Sequence, residues 1–83
     1  MQVTVRYFAS IREALGHGSE QVRTDAADLA GLRNELITRG GAYAESLARG
    51  KTVRMALFQV MSDESAPLVD GAEVAFFPPV TGG

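Results

Sequence analysis

Val3-Thr4-Val5-Arg6-Tyr7-Phe8 alternates apolar and polar side chains until its last two residues, which are both aromatic. A period of two predicts a strand that buries Val3, Val5 and Tyr7 and turns Thr4, Arg6 and Phe8 outward. Glu73-Val74-Ala75-Phe76-Phe77 repeats the pattern near the other end, with Val74 and Phe76 inward and Glu73, Ala75 and Phe77 outward. Pro78-Pro79 closes that second strand, because proline has no N–H to give a ladder. The two clearest alternations belong side by side at the centre of one sheet, as parallel neighbours. Phe8 and Phe77, each at the end of its strand, then lie close together on the outer face. Met61, at the end of a strand of its own, is placed to join them.

Working inward from these strands, Ser10-Ile11-Arg12-Glu13 has capping-box spacing and predicts a short helix halted by Gly16. Glu20-Gln21-Val22-Arg23-Thr24 reads as a mostly polar strand suited to a sheet edge. Asp28 predicts the cap of an amphipathic helix whose Leu29, Leu32, Leu36 and Ile37 share a face and which Gly40-Gly41 stops. Tyr43 to Leu47 reads as a loose helical turn. Val53 to Met61 is apolar, free of Gly and Pro, and reads as one long strand, with Phe58 outward by parity. Asp63 to Pro67 is turn-rich, and Leu68-Val69-Asp70-Gly71 is a further turn. The economical way to bury this order is an α+β roll, a mixed sheet with one main helix packed across it, known as the β-grasp or ubiquitin-like fold. Residues 1–77 form that domain, and residues 78–83 are expected as an extended, flexible tail.

With 83 residues the chain has room for a single core. Its 46% hydrophobic and 22% charged residues are those of a globular domain. Eight Lys plus Arg against ten Asp plus Glu give a net charge of −2, without the basic stripe that nucleic-acid binding requires. The absence of Cys excludes disulfides, thiolate metal sites and a cysteine nucleophile. No apolar run spans a bilayer and no basic-then-apolar leader opens the chain, so a cytoplasmic location without membrane contact is the expectation. His17, the one histidine, sits between Gly16 and Gly18 and is expected as a solvated loop residue rather than a ligand or base. The carboxylates are scattered and the glycines form no phosphate-binding pattern. The chain is therefore not expected to be an enzyme on its own, nor to bind a metal or cofactor.

Chemistry is left to a group that every protein has. Phe76-Phe77-Pro78-Pro79-Val80-Thr81-Gly82-Gly83 mounts two glycines on a stiff diproline. From Pro78 onward an extended chain reaches roughly 20 Å, at about 3.3–3.6 Å per residue. At roughly 7% glycine usage, two terminal glycines arise by chance in roughly one chain in two hundred. Lacking Cβ atoms, Gly82 and Gly83 can enter a channel too narrow for other residues. The Gly83 carboxylate is ionised and inert as an acyl donor, but a partner using ATP can convert it to an acyl-adenylate. Displacement of the adenylate by sulfur leaves a thiocarboxylate, a nucleophile carried covalently.

The ending Asp70 to Gly83 resembles the small-subunit family of molybdopterin synthase (the MoaD family), and Val5-Arg6-Tyr7-Phe8-Ala9 with Arg12-Glu13 is similar too. The resemblance runs along essentially the whole chain, and Phe76 to Gly83 is its most specific part. It implies a sulfur carrier whose Gly83 thiocarboxylate donates sulfur to cyclic pyranopterin monophosphate, forming the molybdopterin dithiolene. Pro79, Val80, Thr81 and Gly82 would insert into the large subunit, and Phe8, Met61 and Phe77 would dock on it, in a heterotetramer. An E1-like adenylating enzyme would activate Gly83 with ATP and magnesium, and a cysteine desulfurase or rhodanese-like protein would supply sulfur. The sequence departs from the family at Phe58, where Asn is frequent, and at Ala72, where Asp is frequent. A carrier for another pathway, such as the ThiS branch that serves the thiamin thiazole, shares the Gly-Gly end but usually lacks the Phe-Pro-Pro-Val-Thr stretch. A ubiquitin-like modifier joined through Gly83 to lysines is a further alternative, although Lys51 is the single lysine of this chain. A plain interaction domain with an inert tail is the last.

Overall fold

The computed structural model describes residues 1–79. In chain order the elements are β1 (Gln2–Tyr7), α1 (Ala9–Leu15), β2 (Ser19–Arg23), α2 (Leu29–Ile37), α3 (Gly41–Ser46), β3 (Arg54–Leu57), β4 (Val60–Ser62) and β5 (Glu73–Phe77). The strands form one sheet in the order β2-β1-β5-β3-β4. Only β1 and β5 are parallel, with Val5 opposite Val74 and Tyr7 opposite Phe76; the other neighbours are antiparallel. The alternation read from the sequence is the burial pattern observed. Val3, Val5, Tyr7, Val74 and Phe76 are buried against Leu29, Leu32 and Leu36 of α2, with Ile37 partly buried beside them. The Tyr7 and Phe76 rings stack at 6.3 Å. This is the β-grasp arrangement, with β2 at the edge as expected.

Local chemistry explains the element ends. Gly16 adopts a left-handed conformation (φ 83°) and ends α1. Asp28 accepts a hydrogen bond from the Gly31 N–H at 2.9 Å and caps α2. The capping box at Ser10 does not form. The Phe8 N–H still bonds the Phe76 carbonyl, so the backbone stays extended through Phe8, and Phe8 itself stands at the N-cap. Its carbonyl accepts from Ile11 and Arg12, which leaves Ser10 inside the first turn. The expected single strand from Val53 to Met61 is instead a hairpin, β3 and β4, closing where Leu57 faces Val60. Phe58 and Gln59 at its tip have φ of 50° and 66°. Positive φ at both central residues is the requirement of a type I′ turn, which Asn and Gly usually meet. Neither is present, so the sequence reads as unbroken. Gly40-Gly41 also does more than stop a helix: α2 ends at Ile37, and Gly40 (φ 75°) caps α3. Among the described residues three helices therefore accompany the sheet, α2 being the longest. Ala72, one of the two departures from the family pattern, is buried.

Two polar clusters hold the helices in place. Arg33 lies four residues after Leu29, hence on the buried face of α2, and is only 5% exposed. Its guanidinium donates to the carbonyls of Leu47, Ala48 and Lys51 at 2.7–3.0 Å and to Glu64 at 2.9 Å. It thereby ties the segment after α3 to the core. The second cluster gathers on Glu20, whose carboxylate accepts from Tyr7 at 2.8 Å, Tyr43 at 2.7 Å and Arg39 at 2.9 Å. His17 Nε2 lies 3.1 Å from both Glu20 and the Tyr43 hydroxyl, so His17 is part of a network rather than a freely solvated loop residue. Partial burial alone would raise the Glu20 carboxyl, but the donors Tyr43, Arg39, Tyr7 and His17 outweigh it and hold it at about 2. Burial, and then the bond to Glu20, push the Tyr7 hydroxyl well above the usual range.

Glu20 sets an acid limit on stability. Its folded value lies below its ordinary one of 4.5, so its contribution is present above that pH and is lost as pH falls toward about 2. Urea denaturation between pH 5 and 2 will show that loss, and Glu20→Gln will flatten the pH dependence in this window. Arg33→Ala, which takes the side-chain donor from the Leu47 and Lys51 carbonyls while Glu64 keeps Arg49 and the Ala48 carbonyl keeps the Lys51 N–H, will lower unfolding free energy by about 3 kcal/mol in the same assay at neutral pH.

Candidate functional site

β1 and β5 run in the same direction, so their ends meet at one corner of the sheet. Phe8 follows Tyr7 and Phe77 follows Phe76, and these buried residues are register partners. The two outward rings therefore become neighbours. Their centroids are 6.3 Å apart at 88°, an edge-to-face contact. Phe8 remains 40% exposed, and Phe77 is half-buried. The Arg6 guanidinium lies 5.6 Å from the Phe8 ring and pairs with Glu73 at 3.1 Å, giving the apolar pair a charged border.

Register also locates Met61. Ala56 faces Ala75 on one side and Met61 on the other. Directly opposed residues share a face, so Met61, Ala56 and Ala75 form a row across the outer face beside the row of Phe77 and Arg54. Met61 is 55% exposed. It sits in the middle of β4 rather than at the end of a long strand, and it is separated from β5 by β3. The three expected docking residues thus occupy one sheet face, with Phe8 and Phe77 in contact and Met61 two strands away. Small side chains, Ala56 and Ala75, lie between.

The root of the tail follows directly. Pro78 and Pro79 are half-buried and line a groove with Ser10, Ile11 and Ala14 of α1 and with Lys51, Thr52 and Val53. Arg33 fixes one wall of that groove through the Lys51 carbonyl. The remaining expected site residues, Val80, Thr81, Gly82 and Gly83, lie outside the described residues. Among the described residues no group of three or more His, Cys, Asp or Glu side chains is placed to hold a metal ion. No described helix is long and apolar enough to cross a membrane. Sequence reasoning missed Arg33, although its spacing from Leu29 and Leu36 marks a buried position. It also missed the Glu20 cluster, whose members come from four separate parts of the chain.

Comparison with known proteins fits this geometry. The ThiS family model matches residues 5–83. The molybdopterin synthase sulfur carrier subunit of Escherichia coli (strain K12) is 38% identical over 81 residues, which is 98% of this chain and 99% of that protein. Subunit 1 or 2 in a structure described as the protein–protein complex of subunits 1 and 2 of molybdopterin-converting factor from Helicobacter pylori 26695 is 31% identical. It superposes with a TM-score of 0.69 and covers 100% of both chains. SAMP1 from Haloferax volcanii, 21% identical with 100% of both chains covered, shows the same fold at a TM-score of 0.80. The chain belongs to the ThiS family, alongside the molybdopterin synthase sulfur carrier subunits that it matches over nearly its whole length.

Proposed function

We propose that this chain is the sulfur carrier subunit of a molybdopterin synthase. The observation that carries the reading is the edge-to-face pair of exposed Phe8 and half-buried Phe77 at the root of the diproline tail. An exposed aromatic pair is what an anchor for a protein partner looks like, and its position beside the tail lets docking aim the tail. The partner is the large subunit, which holds the catalytic site. Phe8, Met61 and Phe77 dock on it, and Pro79, Val80, Thr81 and Gly82 carry Gly83 into that site, in a heterotetramer. The carrier is not a catalyst by itself. It works in the cytoplasm without nucleic acid or membrane.

The chemistry belongs to the end of the chain. On an E1-like enzyme, a Gly83 carboxylate oxygen attacks the α-phosphorus of ATP, with magnesium on the phosphates, and pyrophosphate leaves. The persulfide of a cysteine desulfurase or a rhodanese-like protein then expels AMP to give an acyl disulfide, and a second thiol reduces it, releasing the thiocarboxylate and leaving a disulfide on the donor. In the large subunit the thiocarboxylate sulfur forms a C–S bond to a side-chain carbon of cyclic pyranopterin monophosphate as the C–O bond at that carbon breaks and the oxygen leaves. Water then cleaves the resulting thioester, so that the sulfur stays on the pterin and Gly83 returns to a carboxylate. Two rounds supply the dithiolene. The protein contributes a slender arm, a rigid mount and a docking face, and it needs no bound cofactor for any of them.

Intact mass measured after incubation with an activating enzyme, ATP and a sulfur source will show one oxygen of Gly83 exchanged for sulfur. Deleting Gly83 will abolish pterin production in cells. Isopeptide linkage to many targets with no thiocarboxylate form would instead make the protein a modifier. Phe77→Asp will weaken binding to the large subunit by about 2 kcal/mol or more while the circular dichroism of the fold is unchanged. Undiminished affinity would place the interface elsewhere.

A further inference from the structure

Three non-glycine residues among the described ones have positive φ: Ala9, Phe58 and Gln59. Each adjoins or is one of the two exposed phenylalanines, Phe8 at 40% and Phe58 at 53%. A left-handed backbone is unfavourable for an L-residue with a bulky side chain, and such strain persists where something else selects for it. Around Phe8 the strain at Ala9 accompanies the abrupt change from strand to helix. At Phe58 the two-residue turn demands the positive φ but not the phenylalanine, because Asn or Gly would close the same hairpin at less cost. The turn therefore retains a phenylalanine that its backbone disfavours and that solvent half surrounds.

Register shows where this phenylalanine stands. The Phe58 N–H donates to the Glu73 carbonyl at 2.8 Å, which seats the hairpin tip beside the start of β5. Glu73 belongs to the outer face that carries Phe77, four residues further along β5. At about 3.3 Å per residue that separates the two positions by roughly 13 Å along the strand. Met61, Ala56 and Ala75 fill the interval. An apolar strip of Met61, Ala56 and Ala75, bordered by Arg54 and Glu73, thus lies on the outer face between the two aromatic positions.

We propose that Phe58 is a second anchor for the large subunit, an aromatic plug at the hairpin tip that fits an apolar recess on that partner and helps decide which large subunit this carrier accepts. The large subunit is chosen as occupant because the surface is continuous with the docking face proposed above, and the assignment of Phe58 rests on that reading. Phe8 and Phe77 hold the tail end of the sheet, and Phe58 holds the far end. Two separated anchors fix orientation as well as affinity, which a tail aimed into a channel requires.

Phe58→Asn separates a docking role from a structural one, because it relieves the backbone while removing the ring. The variant, the unaltered chain and Phe77→Asp are each titrated into the large subunit by calorimetry and melted alone. Phe58→Asn is expected to raise the melting midpoint by about 4–8 °C and to weaken binding about tenfold or more. A lower midpoint would make Phe58 a structural residue and overturn the proposal. Unchanged affinity in Phe58→Asn, with affinity lost in Phe77→Asp, would overturn the second anchor alone and leave the functional reading standing. No binding by the unaltered chain would overturn both. A concentration-dependent dimer of the free chain, abolished by Phe58→Asn in sedimentation, would assign the ring to self-association and overturn the proposal as well.

Discussion

The parallel pairing of β1 with β5 is the constraint on which the rest depends, because it joins the beginning of the chain to the residues just before its tail. It is held in register from one end. The Asp70 carboxylate accepts from the Gln2 N–H at 2.8 Å, and the Gly71 N–H donates back to the Gln2 carbonyl at 2.8 Å. The Thr4 N–H then takes the Ala72 carbonyl at 2.9 Å, and the ladder proceeds from there. Gly71 can serve in this clip because it sits at a φ of 83°. A slip of one residue along β5 would exchange its faces, burying Phe77 and turning Phe76 out. The turn before the strand thus decides which aromatic ring meets solvent beside the tail.

A domain of this size buries too little apolar surface to waste any, so its polar interior groups must be satisfied. Arg33 occupies space that an apolar residue could fill, and a buried charge is weak evidence of stabilisation by itself. Its value is geometric. One guanidinium replaces regular structure for the segment from Leu47 to Lys51, which has neither helix nor strand to hold its carbonyls. That segment forms a wall of the groove at Pro78 and Pro79. The Glu20 cluster does similar work at the opposite edge, fastening β2 to α3 through Tyr43 and to the α2–α3 connection through Arg39. Neither cluster includes Phe8, Met61, Ala75 or Phe77 of the outer sheet face, whose own polar groups, Arg6 and Glu73, pair with each other.

Much of this was legible in the sequence, for identifiable reasons. Period-two alternation at Val3-Val5-Tyr7 and Val74-Phe76 is local, and parity turned it directly into a statement about Phe8 and Phe77. The contact between those rings needed only the further step that the two strands are parallel neighbours. Asp28 and Gly16 were legible because a cap and a left-handed stop each act within a few residues. The hairpin at Phe58-Gln59 was not, since its turn uses side chains that ordinarily mark a strand and is held closed by its neighbours. The helix start was misplaced because the Phe8 carbonyl accepts from Ile11 and Arg12, so the helix opens at Ala9, two residues before the start that a Ser10 cap implies. Arg33 and Glu20 escaped notice because their partners are distant in sequence, even though helical spacing alone puts Arg33 inward.

A carrier must visit more than one protein, and the distribution of rigidity in this fold suits that demand. The proposed docking face lies on the sheet, where β1, β5 and β3 hold one another by backbone ladders. The aromatic pair needs no charge to be recognised, whereas its border of Arg6 and Glu73 can differ in usefulness from one partner to the next. An interface built as proposed, with affinity residing in a few rings, would release its partner after transfer. The tail root is fixed by different means, through two prolines and a groove wall held by Arg33. The proposed docking face adjoins that mount at Phe77 and extends away from it toward Phe58, and the far end is where a partner contact can vary with least effect on the presentation of the tail.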